Sequence, residues 1–229
     1  MIKYYTEHKK ILVAIDCIIF GWDDGQLKLL ILKRDFEPAM GEKSLIGGFV
    51  KEDESLDNAA RRILYLLTGL SDIYLEQLYT YGEVLRDPGE RVISVAYFAL
   101  LKIQDLDPEH VRKHGAHWVH ISKLPELIFD HNVMIQKAFK RLRRRAKNEP
   151  IGFELLPKKF TLPQLQGLYE EIYRKKFDNR NFRKKVLDMQ ILKKLDEKDK
   201  SSSKKGAYFY KFDKIKYDRL LREGFNFNL

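Results

Sequence analysis

One stretch constrains this 229-residue chain more than any other: Gly48 to Leu70, GFVKEDESLDNAARRILYLLTGL. It opens as a glycine loop and passes into a segment where Leu56, Ala59, Ala60, Ile63, Leu64 and Leu67 recur at helical spacing. Gly69 follows where a helix closes on a left-handed residue. The spacing predicts an amphipathic helix over about 55–67 whose apolar stripe needs a surface to cover. A sheet can supply it. Leu12 to Phe20 reads as a buried strand, Gly21–Gly25 as a break, and Leu27 to Lys33 as the second arm of a hairpin. Leu78–Tyr81, Arg91–Leu101 and Ala116–Val119 add strands, the middle one rich in β-branched and aromatic residues. Hydrophobic residues make up 44% of the chain and aromatics 12%, enough to fill real cores and exclude global disorder. The lone Cys17 lies in an apolar run, which predicts a buried, reduced thiol. The first residues are too polar for a leader or a membrane span, so a cytoplasmic protein without a membrane partner is expected.

Gly48, Glu54, Arg62, Leu64, Gly69 and Leu70 match the skeleton of the Nudix box, Gly-x5-Glu-x7-Arg-Glu-U-x-Glu-Glu-x-Gly-U with U aliphatic, and the stretch resembles that loop–helix–loop signature. The resemblance implies an α+β domain, a Nudix-like mixed β-sheet between helices. Three glutamates of the pattern are missing, because Ile63, Leu66 and Leu67 stand in their places. In Nudix hydrolases those carboxylates hold the metal that activates water, and an aliphatic side chain gives a hard cation no ligand. No catalytic residue, no metal, no cofactor and no enzyme activity are therefore expected. Something must cover that aliphatic face, and a partner subunit, a second domain or closure of the cleft are all compatible with the sequence. His110, His114, His117, His120 and His131 form no closed ligand set by spacing. Placed against the Nudix layout, Asp16, Lys33, Arg34, Glu83 and Arg86 are the ligand-binding candidates. For Asp16 the residues alone favour a partly exposed edge position.

Charge divides the chain. Residues 1–135 carry 16 Lys+Arg against 21 Asp+Glu, whereas 136–229 carry 27 against 12. A mildly acidic sensing part joined to a part that binds polyanions fits this asymmetry, and a solvated lysine-rich surface fits it equally. A basic helix is expected from about Phe129 to Lys147, and Pro150 ends it, dividing residues 1–148 from 149–229. Thr161 with Gln164 three residues on forms a capping box, and Pro163 sits in the first turn. The helix they start carries Leu162, Leu165, Leu168, Tyr169 and Ile172. A second helix from Asn179 places Phe182, Val186 and Met189 inward and Arg180, Asn181, Arg183, Lys184 and Lys185 outward. Gln190–Leu195 and Ala207–Phe212 flank a basic loop, the outline of a wing, and a last helix is expected from Lys214.

The run FTLPQLQGLYEEIY…DNRNFRKKV resembles the winged helix-turn-helix of the Nudix-related transcriptional regulators, which also follows a degenerate Nudix domain. That resemblance implies a DNA-binding regulator, a repressor that acts as a homodimer on a double-stranded operator and is released by a small-molecule effector. Thr161, Gln164, Arg180, Asn181, Arg183, Lys184, Lys185, Lys204, Lys205 and Tyr208 are the DNA-binding candidates. The missing glutamates argue against a magnesium-bound diphosphate, so L-arabinose and control of pentose catabolism are expected, in the manner of the family's arabinose regulators. The alternatives are an ADP-ribose-responsive regulator of NAD metabolism and an active diphosphate hydrolase with an altered site. An RNA-binding protein is a further rival, for which Tyr208, Phe209 and Tyr210 would have to stack on bases.

Overall fold

The structure is a computed structural model that describes residues 7–71, 73–201 and 205–229. Among the described residues a seven-stranded sheet has the order β3-β2-β1-β6-β5, with β4 on β1 and β7 on β2. The strands are β1 (Leu12–Asp23), β2 (Gln26–Lys33), β3 (Lys43–Ser44), β4 (Ile46–Phe49), β5 (Tyr74–Tyr81), β6 (Val92–Lys102) and β7 (Ala116–His120). β1 lies mid-sheet, and Ile15, Cys17, Ile18, Ile19 and Phe20 are fully buried, so both of its faces are covered. That is why β1 and β6 read as nearly unbroken apolar runs rather than as an alternation. Burial pushes the Cys17 thiol far above its ordinary range, with Asp16 adding to the effect, and the group is inert.

Helix α1 (Leu56–Thr68) is the amphipathic segment predicted from the sequence. The Ser55 hydroxyl accepts the Asn58 N–H at its start, and Gly69 closes it at φ 70°, a conformation that strains any residue with a Cβ. Ala59, Ala60, Ile63, Leu64 and Leu67 are buried. The loop before the helix is fastened by Glu54, whose carboxylate accepts Arg62 Nη2 at 2.6 Å, Arg62 Nε at 2.9 Å and the Lys51 N–H at 2.9 Å. Arg62 also donates to the Phe49 carbonyl, tying loop to strand.

The polar stretch after β6 contains a short helix, α2 (Pro108–Lys113), capped by Asp107. Helix α3 (His131–Asn148) is the basic helix, and it stops two residues before Pro150. In the C-terminal part β8 (Phe160–Thr161) leads into α4 (Leu162–Tyr173), then come α5 (Asn179–Asp188), β9 (Leu192–Asp199), β10 (Ala207–Phe212) and α6 (Lys214–Arg222). β8, β10 and β9 form a three-stranded sheet. β9 reaches further than the hydrophobic pattern indicates, because Lys198 and Asp199 still pair with Tyr208 and Ala207. Backbone hydrogen bonds carry a strand through charged residues when both faces are wet. A winged helix domain thus follows an α+β Nudix-like domain.

By packing, the chain forms two compact units. One contains Leu29–Ala99 and Leu106–Ala138 with the chain up to Ile19, and the other contains Phe20–Lys28, Leu100–Asp105 and Phe139–Leu229. In the second unit Phe20 meets Phe139 at 6.1 Å between ring centroids, and Tyr169 packs closely on Gly152. No described helix is long and apolar enough to cross a membrane.

The Glu54 ion pair has a pH signature. Hydrogen bonds from Arg62 and the Lys51 amide hold its carboxyl at about 2, below the usual 4.5. A depressed value means stabilisation that is present above about pH 4.5 and disappears as pH falls toward 2. Thermal melts should show Glu54→Gln less stable than the parent at about pH 6, with the gap narrowing steadily as pH falls below about 4.5 toward 2. A gap independent of pH would show that the charge is not its source.

Candidate functional site

A cavity of about 440 Å³ opens over the sheet in the first unit, lined from β1, β2, β4, the loop before β6 and the start of α3. Its floor is a buried polar network. Asp16 projects from β1, where the partner residue on β4 is Gly47. A Cβ on Gly47 would come within 2.6 Å of both Asp16 Oδ1 and the Ile15 carbonyl, so only glycine lets the two strands close here. Ser94 of β6 donates to Asp16 Oδ2 at 2.5 Å. Arg86 reaches in with Nη2 at 3.6 Å from Asp16 and makes a two-pronged bond to Asp130, Nε at 3.0 Å and Nη2 at 2.6 Å. Burial works against the guanidinium charge, but Asp130 and Asp16 outweigh it and leave Arg86 more firmly protonated than a free arginine.

His131 completes the floor. It is buried, and its Nδ1 accepts the Leu45 N–H at 3.1 Å. A ring nitrogen that accepts carries no proton, so the neutral ring presents Nε2–H toward Asp16 Oδ1, 3.6 Å away. Burial lowers its pKa, with Asp16 and Asp130 opposing, and the neutral form is favoured.

Aromatic and cationic groups form the wall. The Arg34 guanidinium lies 3.9 Å above the Phe36 ring and 5.8 Å from that of Phe129, with Nε donating to the Pro38 carbonyl at 2.9 Å. A guanidinium held flat on a ring keeps its edge for planar anions. Phe36 and Phe49 are each about half exposed, an arrangement suited to stacking a flat ring.

Asp16, Arg34 and Arg86 therefore converge on one cavity. Lys33 and Glu83 do not line it: Lys33 is exposed at the end of β2, and Glu83 is exposed beyond β5. Asp16 is not the partly exposed edge residue that its strand suggested, since β4 and β6 cover it and leave it 8% exposed. His131, Ser94 and Asp130 escape sequence reasoning because the groups they bond lie far from them along the chain: Asp130 and Arg86 are 44 positions apart, Ser94 and Asp16 78, and His131 and Leu45 86. The replaced Nudix positions lie elsewhere. Ile63 and Leu67 are buried, Ile63 against Gly48, while Leu66 is exposed and none of the three lines the cavity. Helix α2 packs on α1, and His110 Nε2 lies 3.0 Å from the Leu66 carbonyl, so the aliphatic face is covered largely within the fold. Among the described residues no group of three His, Cys, Asp or Glu could hold a metal ion.

The second unit carries a helix-turn-helix. Thr161 and Gln164 satisfy each other in the predicted capping box, the Gln164 N–H to Thr161 Oγ1 at 3.3 Å and the Thr161 N–H to Gln164 Oε1 at 2.8 Å. Their side chains hold α4 in place. Asp178 caps α5 through the Asn181 N–H at 2.8 Å. Phe182 and Val186 are buried, Met189 is half-buried, and Arg180, Asn181, Arg183, Lys184 and Lys185 are exposed together. On the wing, Lys194 and Lys198 lie 3.7 and 4.5 Å from the Tyr208 ring, and Lys205 is exposed. Tyr208 and Tyr210 pair with β9 as residues of a wing strand, and Tyr210 is buried. Lys204 lies outside the described residues.

Comparison with known proteins agrees with both halves. The NUDIX domain family matches residues 10–140, and the NrtR DNA-binding winged helix domain matches 152–212. The ADPR responsive transcriptional repressor NtrR of Acinetobacter baylyi is 31% identical over 217 residues, 93% of this chain and 86% of that protein. An ADP-ribose pyrophosphatase of Methanocaldococcus jannaschii is 31% identical over 135 residues, 59% of this chain and 77% of the enzyme. The crystal structure of Shewanella oneidensis NrtR complexed with a 27mer DNA superposes with a TM-score of 0.78 at 30% identity, covering 87% of this chain and 93% of that one. The NUDIX domain of the same protein, crystallised with ADP ribose, superposes at 0.51 with 32% identity over 60% of this chain and 92% of the domain.

These likenesses overturn the expectation of L-arabinose and of carbohydrate catabolism, since the relatives respond to or bind ADP-ribose. The physical reason lies in the cavity. Missing glutamates do not exclude a diphosphate here, because Ile63, Leu66 and Leu67 do not line the pocket, and arginines can hold a diphosphate without a metal. The chain belongs to the NrtR family, in which a Nudix domain is followed by the NrtR DNA-binding winged helix domain.

Proposed function

We propose that this protein is an ADP-ribose-responsive transcriptional repressor of NAD-metabolism genes, with the first unit as sensor and the winged helix domain on the operator. The observation that carries the reading is one cavity combining Arg34 on its aromatic bed, the buried Arg86 and the half-exposed rings of Phe36 and Phe49. Such a pocket matches each part of the ligand: a guanidinium edge for the diphosphate, aromatic faces for adenine, and Asp16 with the His131 Nε2–H for ribose hydroxyls. The ADP-ribose response of the Acinetobacter repressor and the ligand held by the Shewanella domain support the assignment.

On this reading the protein acts in the cytoplasm as a homodimer on paired half-sites, the usual logic of such modules. It is a sensor and not a hydrolase. Glu54 is held in its ion pair with Arg62, and the three helix positions that would ligate a metal are aliphatic. Release requires ADP-ribose to bind the form that fits the operator poorly, and a 100-fold loss of operator affinity corresponds to about 2.7 kcal/mol of coupling.

Three measurements check this. Calorimetry should register ADP-ribose binding to the purified chain, and Arg34→Ala should weaken it by about 1.5–3 kcal/mol, the range for a hydrogen bond to a charged group. Undiminished affinity in that variant would place the ligand elsewhere. With Mg²⁺ the chain should leave ADP-ribose intact; turnover near an enzyme-like 1 s⁻¹ or faster that Glu54→Gln abolishes would make it a hydrolase (about that range for typical enzymes). In gel shifts, Arg183→Ala or Asn181→Ala should weaken operator binding by about 1–3 kcal/mol where the side chain reads a base. Lys205→Ala should lower affinity for all duplexes alike and flatten the salt slope by about 0.9. Equal binding by all three variants would move the recognition surface away from α5 and the wing.

A further inference from the structure

Between α4 and α5 the chain turns through Arg174–Asp178, and this turn decides where the exposed face of α5 points. Arg174 adopts the left-handed conformation at φ 52°, so the chain leaves α4 abruptly. Two α4 side chains one turn apart, Gln166 and Glu170, then grip the turn. Glu170 Oε1 accepts the Phe177 N–H at 3.0 Å and the Gln166 Nε2 at 2.9 Å, while Oε2 accepts Lys176 Nζ at 2.7 Å. Gln166 Nε2 also lies 3.2 Å from the Phe177 carbonyl and 2.6 Å from Asn179 Oδ1. The peptide groups of Phe177 are thus held from both sides, and the first residue of α5 is held as well. The Phe177 ring stacks on Phe182 of α5, centroids 5.7 Å apart, and meets Tyr173 of α4 edge-on at 6.0 Å. Burial opposes the Glu170 charge, but Lys176, Gln166 and the Phe177 amide together bring its carboxyl down to about 2, so it remains an acceptor across the physiological range.

We infer that Glu170 and Gln166 are positioning residues for operator readout: they lock the turn through Phe177 and so set the angle at which Arg183 and Asn181 meet base edges. The inference rests on the DNA-binding reading and adds to it residues that touch no DNA. Base contacts need bidentate geometry, whereas phosphate contacts tolerate a tilt. A loosened turn should therefore reduce sequence preference and leave general duplex affinity in place.

Glu170→Leu and Glu170→Gln separate geometry from charge. Both remove one negative charge, but the glutamine retains an oxygen where Oε1 accepts Phe177 and Gln166. The operator is a duplex selected by the parent chain from randomised DNA, and its affinity is compared with that for a scrambled duplex. Glu170→Leu should reduce the operator-to-scrambled ratio at least about tenfold, the size of losing a base contact, with scrambled affinity within about twofold and the salt slope unchanged. Glu170→Gln should retain the ratio. If Glu170→Leu fails to fold in a thermal melt, Gln166→Leu, which removes the bonds to Phe177 and Asn179 from a half-buried position, should give the same loss of ratio. A ratio unchanged in the folded leucine variant, or lost equally in Glu170→Gln, overturns the inference alone. A parent chain that selects no sequence overturns the DNA-binding reading and the inference with it.

Discussion

A guanidinium leaves water only where acceptors meet it, and the first unit is arranged around one such meeting. Arg86 is almost wholly buried between Asp130 and Asp16. Those three residues come from the loop before β6, the start of α3 and the middle of β1, so one charge network ties three parts of the chain at the base of the cavity. Removing one partner from such a network typically destabilises by about 3–5 kcal/mol, because the charge left behind has no water to return to. Ser94 donates to Asp16, the His131 ring lies 3.6 Å from it, and Gly47 lets β4 close above it.

The glycine loop and helix α1 have a different part. Glu54 and Arg62 fasten the loop to α1, and Ile63 and Leu67 are buried against β4 and beneath α2. In a Nudix hydrolase the same surface would hold metal and water. Here two of the three aliphatic side chains, Ile63 and Leu67, are packed and Leu66 is exposed, and none offers a hard cation a ligand. The cavity beside it is lined by other residues and is untouched by that exchange. The substituted helix face and the cavity are thus separate surfaces of one fold.

In the second unit, short-range hydrogen bonds frame an apolar core in which Leu155, Leu156, Leu165, Leu168, Tyr169 and Ile172 are fully buried. Three helices begin on caps: Thr161 with Gln164, Asp178 and Asp213. Phe153, Phe212 and Tyr217 stack beneath the wing, and the aromatic chain of Tyr173, Phe177 and Phe182 runs under the turn. Caps fix where each helix starts, and aromatic pairs add to the packing of that core.

Local pattern was enough wherever local energetics decide. Gly48–Gly69 specified a loop, a helix and its stop; the Thr161–Gln164 spacing specified the start of α4; and the apolar periods placed β1, β2, β6, α3 and α5 within a few residues. Degeneracy at Ile63, Leu66 and Leu67 was also legible, because ligand chemistry is a property of the side chain itself. Only the tertiary structure decided what surrounds Asp16, since Arg86, Ser94, His131 and Asp130 are brought to it by strand pairing and by the entry of α3. It also decided that the substituted helix face and the cavity are distinct surfaces, the point on which the inference of a sugar ligand failed. A sequence states which groups are present and which neighbours bond locally; which distant charges share a pocket depends on how the sheet closes.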